Sequence, residues 1–92
     1  MPYVKPELRK EVEDYGELHH LLEYLIEKTK RGTENNGIIT YVIYAIIKKV
    51  YEDGNYETMS NALKVLDSAK DEFLENILRP YEKKKKEVNG DV

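Results

Sequence analysis

The sequence predicts an all-α protein: a small bundle of three main helices with a short C-terminal tail. Three observations predict it. Apolar residues recur at spacings of three and four in the first and third parts of the chain. The middle part, Ile38 to Ile47, is apolar or aromatic at every position but Thr40. Two turn signals, Lys30-Arg31-Gly32 and Asp53-Gly54-Asn55, separate these parts.

The first part carries one apolar stripe: Leu8, Val12, Tyr15, Leu18 or His19, Leu22, Leu25 and Ile26. Pro6 suits the first helical position, where its missing N–H would have no partner anyway. Glu7 and Glu11 lie near the positive end of the helix dipole, and Lys28, Lys30 and Arg31 near the negative end. Gly16 leaves two readings open. It divides the helix, or the helix runs through it at a cost of about 1 kcal/mol relative to alanine.

The middle part is rich in Ile, Val, Thr and Tyr, which also suit a strand. Helix is the better reading. The pattern does not alternate, it continues through Lys48-Lys49-Val50-Tyr51-Glu52, and that length exceeds a usual strand. The third part has the plainest stripe: Met59, Ala62, Leu63, Leu66, Ala69, Phe73, Leu74, Ile77 and Leu78. Asn55 or Thr58 can cap its start. Pro80 is expected to end it, because the residue before a proline avoids helical angles.

These patterns carry an architectural demand. The outer helices each have one apolar face, whereas the middle helix is apolar all round and is expected between them. Two neighbours leave part of it uncovered. An uncovered patch of Ile, Val and Tyr predicts a homodimer. The expected interface residues are Ile39, Tyr41, Val42, Ile43, Ile46 and Ile47. Ile43 and Ile47 share one face, Ile39, Val42 and Ile46 another, and Tyr41 and Tyr44 add aromatic area with a polar tip.

Composition narrows the function classes. The 92 residues fit one domain, read as a helical domain over 1–82 and a basic, then polar tail over 83–92. A chain of this size buries only roughly 60–65% of its unfolded surface, so added burial from a partner matters. Fifteen basic residues stand against eighteen acidic ones, which is not the balance of a generic nucleic-acid binder. No cysteine means no disulfide and no thiolate chemistry. The N-terminus lacks the apolar core of a signal peptide, and Ile38–Ile47 is about half of a membrane span. The expectation is a cytoplasmic protein with no membrane association.

Candidate chemistry is sparse. Lys83, Lys84, Lys85 and Lys86 form the basic cluster, either a phosphate grip or a solvated helix end that complements the dipole. Adjacent His19 and His20 point about 100° apart on a helix and cannot chelate one ion together. His19 or His20 with Glu23, and His20 with Glu17, have spacings that a metal could use, but glutamate-rich helices produce them by chance. Glu23 with Glu27, and Asp71 or Glu72 with Glu75, resemble the acidic pairs of helical magnesium-dependent pyrophosphatases. They fall on faces away from the apolar stripes. No glycine-rich phosphate loop, nucleophile–base pair or cofactor fingerprint is present. The sequence therefore predicts a non-enzymatic protein without cofactor or metal.

The two ends carry a resemblance. The opening Met1-Pro2-Tyr3-Val4-Lys5 with Arg9, and the closing Pro80-Tyr81-Glu82, Lys85 and Asn89-Gly90-Asp91-Val92, resemble a family of small bacterial, archaeal and viral proteins described as a domain of unknown function. Tyr41, Val42 and Ile43 also match a run common in that family, while the chain lacks the further terminal aromatic that many members carry. The resemblance implies a helical fold and no established activity. It also gives the last residues a reading besides a solvated tail: Asn89-Gly90 can fold them back onto the body or present them to an unknown protein partner. The leading expectation is a homo-oligomeric interaction module, accessory to a viral or mobile-element function. The alternative is a nucleic-acid-associated factor using Lys83 to Lys86.

Overall fold

A computed structural model of the chain describes residues 4–89. It is all-α, with no strand among the described residues. The order is α1 (Pro6–Glu13), α2 (Gly16–Lys28), α3 (Asn36–Tyr51), α4 (Tyr56–Phe73), a π-helical turn (Leu74–Leu78) and α5 (Arg79–Asn89). The chain divides into two units between Val50 and Tyr51. Met1 to Tyr3 and Gly90 to Val92, which carry much of the terminal signatures, lie outside the described residues.

In the first unit α1 begins at Pro6, as its missing donor predicts. Gly16 is the first residue of α2, so the first apolar stripe is carried by two helices. The corner between them is tied by Tyr15 N–H to Val12 O at 3.1 Å and Leu18 N–H to Tyr15 O at 3.1 Å. The ring of His19 donates to Glu13 O. His19 is exposed and Leu18 half-buried, which settles which of the two belongs to the stripe.

The α2–α3 loop is tightly organised. The turn expected at Lys30-Arg31-Gly32 forms directly after α2, with Lys30 and Arg31 in the left-handed region at φ 47° and 57°. Arg31 N–H reaches back to Ile26 O at 2.9 Å, and Lys30 N–H to Glu27 O at 3.4 Å. These two bonds form a Schellman motif with Lys30 where glycine is usual. Asn35 Nδ2 donates to Lys28 O at 3.2 Å, and Glu34 N–H to Thr29 O at 2.9 Å. The end carbonyls of α2, which would otherwise lack partners, are thus satisfied. Thr29 is the hub. It is only 2% exposed, its hydroxyl donates to Leu25 O at 2.7 Å and accepts Gly32 N–H at 3.0 Å.

The second unit is one continuous helical run from Tyr56 to Asn89. Asn55 caps it, its side chain accepting Thr58 N–H at 2.9 Å. Pro80 does not end it, contrary to expectation. An α-helical Pro80 would crowd the carbonyl one turn earlier and offer it no donor. Directly before the proline the ladder changes to i→i+5 bonds, with Arg79 N–H donating to Leu74 O. The wider π turn accommodates the ring, and the backbone stays right-handed helical through Arg79. Residues 83–89, read as tail, are helical. The Glu75 carboxylate pairs with Arg79 at 2.7 Å, one turn apart and exposed.

Candidate functional site

The chemistry on this chain is that of exposed apolar helix faces. Ala62, 6% exposed, is the buried apolar residue of the described structure. Large side chains on α2, α3, α4 and α5 remain open to solvent.

On α3 the expected helix forms across Ile38–Ile47, and this fixes the directions of its side chains. At about 100° per residue, Ile39, Val42, Ile43, Ile46 and Ile47 fall within one arc rather than on two separate faces. Val50, which the sequence reading left out, extends it. Tyr41 and Tyr44 project from the other side, with Thr40 at the border beside Ile47, so α3 has an aliphatic side and a tyrosine side. Ile39, Val42 and Ile47 are half-buried. Tyr41, Ile43 and Ile46 are exposed, Ile46 by 50%. The six expected interface residues are therefore on one helix, three of them open to solvent. Lys48 and Lys49 occupy the last turn, where their charge meets the negative end of the dipole.

Lys83 to Lys86 all lie in α5 and are exposed. Four consecutive helical positions spread through about 300°, so they do not form one basic face. An open groove is lined by Tyr81, Lys84, Lys85 and Val88. The ammonium of Lys85 sits 5.9 Å from the Tyr81 ring centre.

Among the described residues no group of three or more His, Asp or Glu side chains is placed to hold a metal ion. His19 is engaged with the Glu13 carbonyl. Glu75 is taken up by Arg79, and Glu72 accepts from Asn76 Nδ2 at 2.8 Å, so these carboxylates serve helix-surface pairs. No helix among the described residues is long and apolar enough to cross a membrane.

A second exposed apolar line was missed as a site by sequence reasoning. Phe73, Ile77 and Tyr81 are each more than half exposed. The available signal was the apolar spacing across Pro80, which reading the proline as a stop cut short.

No curated protein and no solved structure matches the chain. The terminal signatures and the helical middle do have a counterpart: over residues 1–92 the chain matches the family model described as a domain of unknown function (DUF6899), and it belongs to that family.

Proposed function

We propose that this protein is a non-enzymatic interaction module that associates with a second copy of itself through the aliphatic side of α3. The observation that carries the reading is the half-exposed Ile46 at the centre of the Ile39–Val42–Ile43–Ile47 arc. A solvent-facing aliphatic arc of this width on a short chain favours a protein partner over water. A two-fold pairing of α3 with itself uses one arc twice.

Sedimentation equilibrium tests it. The full chain is expected above monomer mass at micromolar concentration. Burying the remaining half of Ile46 is worth about 1 kcal/mol in each copy. Ile46→Lys removes this twice and places a charge in the seam, so association through the α3 arc itself weakens about 30–100-fold or more. A full-length chain that stays monomeric at micromolar concentration refutes the reading.

The alternative, nucleic-acid association through Lys83 to Lys86, has exposed helical lysines in its favour. Their spread around α5, and Glu82 and Glu87 at either end, count against it. It requires binding that weakens with salt and with Lys→Gln changes at these four positions.

A further inference from the structure

The run from Tyr56 to Asn89 holds an apolar register that is hidden in the sequence by one extra residue. Met59, Leu66 and Phe73 follow one another at seven-residue steps, and so do Tyr81 and Val88. Phe73 to Tyr81 is a step of eight. In an unbroken α-helix that step would swing Tyr81 about 80° off the line. The step contains the π turn Leu74–Leu78, and a turn closed i→i+5 takes up one residue more than an α turn. The extra residue is absorbed there, and Tyr81 and Val88 return to the line of Phe73. Ala69 and Ile77 form the accompanying line, three and four residues from these positions, as in a two-helix seam.

Charge decides what lies against this face. Residues 56–75 carry Glu57, Asp67, Asp71, Glu72 and Glu75 against Lys64 and Lys70, a net −3. Residues 76–89 carry Arg79 and four lysines against Glu82 and Glu87, a net +3. A parallel copy would lay like on like. An antiparallel copy, centred on the π turn, lays the acidic half of each helix against the basic half of the other. The same centring places Phe73 opposite Ile77 of the second copy, apolar on apolar, and Tyr81 opposite its small Ala69.

We propose that the 56–89 helix is a second self-association seam, distinct from α3, which pairs antiparallel with the same helix of another copy. Its surface is free in the described structure, with Phe73, Ile77 and Tyr81 open to solvent.

The test uses the full chain carrying Ile46→Lys, which disables the α3 seam. This variant is expected to remain dimeric, and adding Ile77→Lys is expected to weaken its dimer at least 30-fold while circular dichroism retains the helix signal. Ile77 is exposed, so lysine there buries no charge within one copy. Spin labels at Lys64→Cys or Lys86→Cys, in the same Ile46→Lys chain, report orientation. Antiparallel pairing places each label about 30 Å from its counterpart, whereas parallel pairing brings both pairs close. A monomeric Ile46→Lys chain, an unchanged dimer on adding Ile77→Lys, or short distances from both labels overturns the proposal. The first of these outcomes leaves the α3 reading standing. If Ile46→Lys leaves assembly intact and Ile77→Lys alone abolishes it, the α3 reading fails and this seam stands.

Discussion

Replacing Thr29 by valine removes one hydroxyl and nearly nothing else, at the most buried position in the α2–α3 loop. Two hydrogen bonds go. Leu25 O loses the hydroxyl at 2.7 Å but keeps Thr29 N–H at 3.0 Å, so that loss is small, about 0.5 kcal/mol. Gly32 N–H loses its acceptor at 3.0 Å in a part-buried site, which costs about 1–3 kcal/mol. The extra methyl returns about 0.5–1 kcal/mol. The net expectation is a loss of about 0.5–3 kcal/mol. Urea denaturation of the full chain measures it. Amide exchange locates it: the Gly32 amide should exchange at least tenfold faster, while that of Val42 in α3 changes no more than global stability requires. Thr29→Ser keeps the oxygen and should hold the Gly32 amide protected. A valine variant as stable as the parent, with Gly32 exchange unchanged, would refute the assignment of Thr29 as the loop's hub.

Other positions give predictions of either sign. A Cβ at Gly54 would lie 2.5 Å from Thr58 Cγ2 and 2.6 Å from Thr58 Cβ, so Gly54→Ala forces the start of α4 to shift and costs about 1–3 kcal/mol by thermal or urea denaturation. Gly37, with nothing within 4 Å, is the contrast; Gly37→Ala should stabilise by about 0.4–1 kcal/mol in the same assay. Lys30→Gly relieves a left-handed lysine at the expense of an exposed pair with Glu34 at 3.2 Å, and should gain about 0.5–1 kcal/mol. Pro80→Ala restores a donor within the helix, should raise the melting temperature, and should convert Leu74–Leu78 towards i→i+4 bonding, visible in backbone chemical shifts. A fall in melting temperature would show that the proline is not what the π turn accommodates.

The helical class was legible because it rests on repetition. Each stripe repeats its signal over several turns, and Ile38–Ile47 resolves as helix because its length and its continuation to Tyr51 outweigh β-branched propensity. Pro6 and Asn55 were legible for a different reason: helix ends follow local chemistry that one residue can satisfy. Pro80 was not, since the rule against interior proline assumes an α-helical turn before it. A π turn is a cooperative change over five residues with no composition of its own. Lys30-Arg31-Gly32 was legible as a turn, but its left-handed backbone at Lys30 and Arg31 was not, because neither residue favours positive φ. As for the interaction surface, the residues of α3 were named from the sequence. The gathering of the five aliphatic ones into one arc, with Tyr41 left on the other side, depended on the backbone being helical throughout. Phe73 and Ile77 stand in the third stripe of the sequence, but its continuation to Tyr81 was hidden by the assumed break at Pro80.

The π turn has a consequence for how this chain tolerates changes in length. In most of a helix, adding or deleting one residue rotates everything beyond it by about 100° and scrambles which side chains face a neighbour. Leu74–Leu78 already stores one residue beyond the seven-residue count. Deleting a single residue there, together with Pro80→Ala, would leave a plain α-helix with Tyr81 and Val88 still aligned on Leu66 and Phe73. The segment is thus the one place in this helix where an odd residue can come or go without re-aiming the face that follows.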